Sequence, residues 1–357
     1  MKYSFSFSRK KELVGLDIGS GAIKLVQVKE TGKGYQLQKF GVKELDSELI
    51  VDGTVMDSGR VVAAVKELLE EHAVKVKDVA LSVSGHSVIV KKINLPTMTE
   101  DELEESIKWE AEQYIPFDIN DVNIDFHVLR SPDAQEPKEQ MSVLLVAVKK
   151  DKLTEYTSLV TEAGLNPVIV DVDAFTLENM YDVNYEPREG EVTALVNVGA
   201  SVMTIHIVKG GNFTFTRDIS MGGNRYHETI QREFNVSHEQ AERAKRGESV
   251  EGIDPQALSA IFSNLNAEIA SEVMRSFDYF KSTSNNENID RILVSGGASK
   301  LPDLLSQLGE RSGLPVEAVD PFRKIDIPKQ FDAEYLRSMA PLAAVGMGLA
   351  IRRIGDR

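Results

Sequence analysis

Leu13-Val-Gly-Leu-Asp-Ile-Gly-Ser-Gly-Ala-Ile-Lys-Leu-Val-Gln-Val28 combines an apolar strand, a turn of small residues and a second strand. A stretch of the same design, Ala194 to Val208, has Asn197 where the first has Asp17, 180 positions earlier in the chain. Both patterns predict a β-hairpin with a short turn. Because half the chain separates the two hairpins, the sequence predicts two similar domains that each open with one of them.

Outside the hairpins, the chain alternates between strand and helix patterns, which predicts α/β layers in both halves. Residues 88–165 form a small unit with the order strand, helix, strand, strand, helix. Its first helix should begin at a capping box made by Thr99 and Glu102 and end before Pro116. In the second half, a helical pattern covers 255–282, and a short buried strand at 289–294 leads into a glycine-rich turn.

Composition and charge exclude several classes of function. With 357 residues, of which 42% are hydrophobic and 27% charged, the chain has the composition of a globular protein with two or three packed units. Its net charge of −15 argues against a nucleic-acid partner, because phosphate backbones are bound by clustered cations. The absence of cysteine excludes disulfides, thiolate nucleophiles and cysteine-ligated metals. The six histidines lack the spacing of metal ligands.

The apolar stretches are too short for a membrane protein. The longest, Met339 to Ile351, has 13 residues, whereas a membrane-spanning helix needs about 20. The basic cluster near the N-terminus is neither preceded by an apolar core nor followed by a cleavage site, as it would be in a signal peptide. We therefore expect a cytoplasmic protein that contacts a membrane only through partners.

The first hairpin turn has the features of a phosphate-binding loop. Gly19, Ser20 and Gly21 would let backbone N–H groups approach phosphate oxygens, and Asp17 at the end of the strand could hold Mg²⁺ through water. Lys24, on the second strand, either neutralises phosphate charge or is a solvated strand residue.

Two further turns could complete a nucleotide site. The turn Gly199-Ala200-Ser201, preceded by Asn197, could clamp a polyphosphate from the opposite side. Ser295-Gly296-Gly297-Ala298 follows a buried strand and should open a helix, whose positive N-terminus favours a nucleotide. Neither a P-loop nor a Rossmann fingerprint occurs in the chain, so a nucleotide site here requires another design.

These three turns resemble, in order and rough spacing, the two phosphate loops and the adenosine loop of the actin-like ATPase superfamily. The resemblance implies an α/β actin-like ATPase fold, in which two RNase H-like domains enclose a nucleotide cleft, with ATP and Mg²⁺ as cofactors. It also implies that Gly296, Gly297 and Ser299 contact adenosine.

A further adenosine-binding segment is implied by similarity to the seventy-kilodalton chaperones of the same superfamily. Ala241-Glu-Arg-Ala-Lys-Arg246 is similar to the segment with which those chaperones hold the ribose. This similarity adds Glu242 and Lys245 to the expected adenosine contacts. The alternative for both residues is an ordinary solvated helix face.

The most specific resemblance lies in the small unit of residues 88–165. Ile107-Lys-Trp-Glu-Ala-Glu-Gln-Tyr-Ile-Pro-Phe117, followed by Asp125-Phe126, is similar to a signature of the PilM family of type IV pilus assembly proteins, and the unit as a whole also resembles the inserted domain of the FtsA family. On the residue pattern, Trp109, Tyr114, Ile115 and Phe117 are expected in the core of the insert.

The resemblance covers about residues 12–354 and implies a division of the chain. The expected parts are a first actin-like domain at 12–87 and 166–190, an FtsA/PilM-type α+β insert at 88–165 that binds a partner, a second actin-like domain at 191–335 with a helical subdomain at about 231–284, and a C-terminal helix at 336–357 that packs on the first domain.

The resemblance implies a function in assembly. We expect a cytoplasmic, ATP-binding component of the type IV pilus inner-membrane platform, which docks the cytoplasmic N-terminal tail of a PilN-like membrane protein and so supports pilus biogenesis and twitching motility. Other platform components and motor ATPases are further expected partners, and the chain is also expected to self-associate. Two alternatives stay open: an FtsA-like, filament-forming, membrane-linked scaffold, and a sugar or acid kinase of the same superfamily.

One departure from the superfamily pattern bears on catalysis. The second phosphate loop has Asn197 where the superfamily usually has an aspartate, and an amide neither carries charge for Mg²⁺ nor acts as a base. ATP hydrolysis should therefore be slow or absent. By position in the connecting segment of the superfamily, Asp173 is expected to orient water and to be the second catalytic residue beside Asp17, and Asp171 is close enough to compete for this role.

Overall fold

The structure, a computed structural model, describes residues 12–129 and 140–355. The strands of this part of the chain are β1 Val14–Ile18, β2 Ala22–Thr31, β3 Gly34–Glu44, β4 Ile50–Val51, β5 Thr54–Val55, β6 Asp78–Val83, β7 Val88–Pro96, β8 Val122–Leu129, β9 Gln140–Lys149, β10 Asn166–Val172, β11 Val192–Val198, β12 Met203–Lys209, β13 Asn212–Ile219, β14 Arg291–Ser295 and β15 Val316–Ala318.

The helices of the described residues, again numbered in chain order, are α1 Ser58–Glu71, α2 Glu100–Glu112, α3 Lys150–Glu162, α4 Asp173–Tyr185, α5 Asn224–Phe234, α6 His238–Lys245, α7 Pro255–Thr283, α8 Leu304–Ser312, α9 Ala333–Met339 and α10 Ala344–Ala350. Short 3₁₀ turns lie at Gly85–Ser87, Ile119–Asp121, Gly297–Lys300 and Ala340–Ala343.

Two five-stranded sheets share one topology. The first has the order β3-β2-β1-β6-β10 and the second the order β13-β12-β11-β14-β15. In each, three antiparallel strands are followed by two parallel ones, and the central strand is the first strand of a predicted hairpin. Both predicted hairpins are therefore confirmed, and they occupy equivalent positions in the two sheets.

Helices cover both faces of the first sheet. Leu16 on β1 belongs to a cluster with residues of α1 and α3, whereas Val26 on β2 belongs to a cluster with α4 and α10. Such double coverage explains why β1 is almost continuously apolar. At α10 the backbones approach closely, because a Cβ on Gly348 would overlap the carbonyl group of Thr176 on α4.

The segment between β6 and β10 carries a third sheet, with the order β7-β9-β8. Helix α2 begins at the predicted capping box of Thr99 and Glu102 and packs Leu103 and Ile107 into the core of this sheet. Ile115 is buried in the same core, as predicted, and Tyr114 and Phe117 pack against it.

The prediction that Trp109 belongs to this core is wrong, because its side chain is 79% exposed. The helical period explains the difference. Leu103, Ile107 and Ala111 recur every four residues and define the buried face, while a residue two positions from Ile107 is rotated by about 200° and lies on the opposite face.

Among residues 12–129 and 140–355, the helices lack the combination of length and apolar character that crossing a bilayer requires.

The C-terminal helix is shorter than the sequence pattern predicted. Pro341 lies in a 3₁₀ turn, and α10 starts only at Ala344.

Candidate functional site

A cleft of about 1170 Å³ lies between the two five-stranded sheets. Its volume is sufficient for a nucleotide, since small-molecule sites typically measure about 300–1,000 Å³. Fourteen of the predicted site residues line this cleft: Asp17, Gly19, Ser20, Gly21, Lys24, Asp173, Asn197, Gly199, Ala200, Ser201, Glu242, Lys245, Gly296 and Gly297.

The two hairpin turns have matching geometry. The N–H of Gly19 donates to the carbonyl of Ala22 at 3.1 Å, and the N–H of Gly199 donates to the carbonyl of Val202 at 3.0 Å. The turns also meet across the cleft, because a Cβ on Gly21 would lie 3.1 Å from the Cβ of Ala200. A polyphosphate in the cleft would therefore contact both turns.

Backbone donors are available in the middle of both turns. Within the described chain, the N–H groups of Ser20, Gly21, Ala200 and Ser201 donate to no other residue. Consecutive N–H groups in a tight turn form an anion-binding concavity. The turns thus have the donors that phosphate oxygens require.

Helix α5 anchors the second turn. The N–H of Gly223 donates to the carbonyl of Gly199 at 2.9 Å, and the N–H of Asn224 donates to that of Ala200 at 2.8 Å. The preceding Gly222 permits this approach, because a Cβ there would overlap both carbonyl groups. These bonds fix the conformation of the turn before any ligand binds.

Three carboxylates near the first turn have different environments. Asp17 forms an ion pair with Lys24 at 3.2 Å, so Lys24 is not a solvated strand residue. Asp171 is buried and pairs with Arg352 at 3.2 Å, outside the cleft lining. Asp173 is the carboxylate of the connecting segment that lines the cleft.

Burial and the negative charge of Asp17 together raise the pKa of Asp173 to about 6, while Ser82 and Ser84 act in the opposite direction. Asp17 and Asp173 therefore lie close enough to repel each other when both are ionised. A cation placed between them would relieve this repulsion.

A magnesium ion fits this pair only together with a ligand. In the described part of the chain, no group of three or more histidines or carboxylates is arranged to hold a metal ion. Mg²⁺ commonly retains water and uses one or two carboxylates together with substrate phosphates. Asp17 and Asp173 fit that role for a nucleotide-bound ion, whereas Asn197 offers only an uncharged amide, whose Oδ1 also accepts a hydrogen bond from Ser295 Oγ at 3.0 Å.

The predicted ribose contacts form an ion-pair network in the cleft wall. Lys245 Nζ lies 2.6 Å from Glu242 Oε2, and Arg246 Nε lies 3.3 Å from Glu242 Oε1. Burial alone would raise the pKa of Glu242, but His227, Lys245 and Arg246 hold it well below its usual range. Glu242 and Lys245 are therefore not a solvated helix face, and they present a fixed pair of opposite charges to the cleft.

The same network joins the two halves of the molecule. Arg246 Nη2 contacts Glu44 Oε1, at the end of β3, at 2.8 Å. Because α6 and β3 belong to different halves, this ion pair spans the cleft.

The glycine-rich turn after β14 differs from the sequence-based prediction. Gly296 has φ of 86°, and a Cβ there would overlap the carbonyl of Val198. The turn opens only a 3₁₀ helix, and α8 does not begin until Leu304, so a long helix dipole does not act on the cleft here. Ser299 is not on the cleft wall, because it is buried and its hydroxyl donates to the carbonyl of Gly296 at 2.7 Å.

Asp218, which is not among the predicted site residues, joins the two halves through Gly85 and Thr204, both of which line the cleft. Its carboxylate accepts from Thr204 Oγ1 at 2.7 Å and from the N–H of Gly85 at 2.6 Å, while Ser220 Oγ lies 2.6 Å from His86 Nε2. Burial raises the pKa of Asp218, and the bonds from Thr204 and Gly85 oppose that rise. No local motif marks Asp218, since Gly85 lies 133 positions away in the chain.

Comparisons with known proteins agree with this architecture. The model of the family described as type IV pilus assembly protein PilM matches residues 15–354. A chain of a solved PilM-PilN type IV pilus biogenesis complex is 28% identical, with a TM-score of 0.86 over 97% of this chain and 100% of that chain.

More distant structures share the fold. The ethanolamine utilization protein EutJ from Carboxydothermus hydrogenoformans is 16% identical, with a TM-score of 0.54 over 95% of this chain and 89% of its own. MreB5 of Spiroplasma citri bound to ADP is 14% identical, with a TM-score of 0.50 over 95% and 94%. The predicted actin-like ATPase fold is therefore confirmed.

Proposed function

The chain belongs to the family of type IV pilus assembly protein PilM, and we propose that it is an ATP-binding assembly component that docks the cytoplasmic N-terminal tail of a PilN-like inner-membrane protein. In this proposal the cleft holds Mg²⁺-ATP, and the protein lies in the cytoplasm, connected to the membrane through its partner. The observation that carries the nucleotide part is the pair of matched turns, which face one cleft with free backbone donors.

Each wall of the cleft would have its own part in binding. The turns at Gly19–Gly21 and Gly199–Ser201 would hold the phosphates through N–H groups, and Lys24 would supply positive charge. Glu242 and Lys245 would bind the ribose, and the backbone at Gly296 and Gly297 would bound the adenine side. The bound Mg²⁺ would neutralise phosphate charge, with Asp17 and Asp173 as its nearest carboxylates.

The cleft would serve mainly to bind ATP and only secondarily, if at all, to hydrolyse it. The side chain of Asn197 is an uncharged amide, which is not basic, so it cannot take a proton from water. Asp173, with a pKa of about 6, is largely ionised at neutral pH and could orient a water, but it would act without a second acid in the second turn. We therefore propose slow or absent ATP hydrolysis.

The nucleotide would act on assembly through two of the contacts between the halves. Glu44–Arg246 spans the cleft, and Asp218–Gly85 joins β13 to the loop that leads into β7 of the third sheet. A ligand that favours one arrangement of the halves shifts the population toward it. The third sheet would follow, since β7 begins immediately after the Gly85–Ser87 turn.

Partner docking is proposed from the family and from the structural relative. The solved relative is described as a PilM-PilN complex, and this chain covers the whole of its matching chain. A tail of the PilN kind would connect this chain to the inner membrane and to the rest of the pilus machine.

Calorimetric titration of the full chain with ATP and ADP, with and without Mg²⁺, tests the nucleotide part of the proposal. We expect one nucleotide per chain and tighter binding with Mg²⁺. If neither nucleotide binds in either condition, ATP has no part in the function. Titration with a synthetic PilN-type tail peptide tests docking separately, and a lack of binding would refute that part alone.

A further inference from the structure

The single tryptophan of the chain is exposed. Trp109 lies on α2 with 79% of its side chain accessible, while Leu103, Ile107 and Ala111 on the opposite face are buried in the core of the third sheet. A tryptophan buries more area than most side chains when it gains a partner, and exposed tryptophans are typical of interaction surfaces. Trp109 therefore contributes nothing to the core of the described domain and is available for a contact.

Acidic residues surround Trp109 on the helix surface. Glu105 and Glu112 are four positions before and three after it, which places both beside the indole on one face, and Asp101 extends the row by one turn. Helix α2 has seven acidic residues and one lysine, Lys108, a formal charge of −6. Within the described chain, Asp101, Glu104, Glu105 and Glu112 form no ion pair.

We propose that this Trp109 surface, made by Trp109 with Asp101, Glu105 and Glu112, docks a lysine- or arginine-rich segment of the membrane partner. The proposal rests on the proposed function, because the partner is taken to be the cytoplasmic tail of an inner-membrane protein. Cytoplasmic segments next to a membrane span carry an excess of Lys and Arg. Such a segment would place a cation on the face of the indole and others against the carboxylates.

Charge disfavours the other occupants of this surface. An anionic lipid surface would be repelled by a helix of charge −6. A second copy of this chain carries a net charge of −15, so a docked pair would bring like charges together. A basic peptide is the occupant whose charge complements the surface.

The tryptophan fluorescence of the full chain reports on this surface alone, because Trp109 is the sole tryptophan. The probes are a synthetic peptide with the complete cytoplasmic tail of the PilN-like protein of the same organism, and the same peptide with every Lys and Arg replaced by Gln.

Calorimetry measures affinity in parallel for Trp109→Ala, for the double variant Glu105→Lys/Glu112→Lys, and for the control Glu162→Lys/Glu233→Lys. The control makes the same charge change at exposed positions of α3 and α5.

We expect the native tail to shift the emission of Trp109 to shorter wavelength and to bind at least about tenfold more weakly to the α2 double variant, whereas the control variant and wild type bind alike. The Gln-substituted tail should leave the emission unchanged. Trp109→Ala should also weaken binding without loss of folded protein, since the side chain has no core contact.

Other results would overturn the inference. If the tail binds calorimetrically but leaves both the emission and the α2 variants unaffected, it docks elsewhere, and the proposed function survives without this surface. If the tail does not bind at all, both proposals fail. An emission shift on raising the concentration of the protein alone, or on adding anionic vesicles alone, would assign the surface to a second copy or to lipid.

Discussion

Replacement of Asp173 by asparagine should stabilise the protein at neutral pH. Burial and the charge of Asp17 raise the pKa of Asp173 from 3.8 to about 6 in the folded state. A raised carboxyl pKa means that the folded state binds the proton more tightly than the unfolded chain does, so stability falls as pH rises from about 4 through about 6. The asparagine side chain keeps a similar shape without the charge.

The magnitude follows from the pKa difference. About two pH units at about 1.4 kcal/mol each give an upper value of about 3 kcal/mol at neutral pH. Because the carboxyl lines an open cleft and retains some solvent, we expect Asp173→Asn to gain about 1–3 kcal/mol in the free energy of unfolding at about pH 7.5, and close to nothing at about pH 4.

Urea unfolding of both proteins, without nucleotide and at both pH values, measures this difference. The matched control is Asp171→Asn, which removes the buried ion pair with Arg352 and should cost stability at neutral pH. If Asp173→Asn destabilises the protein at about pH 7.5, or if its effect is the same at both pH values, the pKa of Asp173 is not raised in the folded state. A confirmed gain would mean that the chain keeps a destabilising charge in its cleft, as binding sites do.

Three further substitutions test separate parts of the cleft. Lys245→Glu should weaken ATP binding by about tenfold or more in calorimetry, because it places like charges beside Glu242 and the phosphates, whereas Lys75→Glu outside the cleft should leave it unchanged. Asp17→Ala should reduce affinity with Mg²⁺ more than affinity without it, and an equal loss would limit Asp17 to a structural role. Gly296→Ala should lower the free energy of unfolding by about 2 kcal/mol or more, as measured by denaturant unfolding. Gly297→Ala should lower it by less than about 1 kcal/mol, because there is open space at the position of its Cβ.

The parts of the fold that the sequence predicted are those set by local patterns. The two hairpins followed from alternating apolar strands and small turns, and the capping box at Thr99 followed from a four-residue motif. The preference for Asp173 over Asp171 came from resemblance to the superfamily, and the residue pattern alone left Asp171 as a competitor; in the structure Asp171 lies in β10 and pairs with Arg352, whereas Asp173 begins α4 and lines the cleft. The contact with Arg352 joins positions distant in the chain.

The misplaced residues have physical explanations of two kinds. The exposure of Trp109 was readable from the helical period, but the prediction followed residue type and motif instead. Ser299 was misplaced because its hydroxyl bonds within its own turn, a choice that depends on the conformation of Gly296. Asp218 could not be found in advance, since its partners Thr204 and Gly85 come from another strand and from the other half of the molecule.

We propose that nucleotide in the cleft and the partner tail act on the same equilibrium between the two halves. Calorimetric titration of the PilN-type tail peptide into the full chain, with and without saturating Mg²⁺-ATP, measures this coupling directly. We expect Mg²⁺-ATP to change the affinity for the tail by about fivefold or more, with the reciprocal change in ATP affinity when the tail is bound. Nucleotide binding that leaves the affinity for the tail unchanged would contradict this coupling.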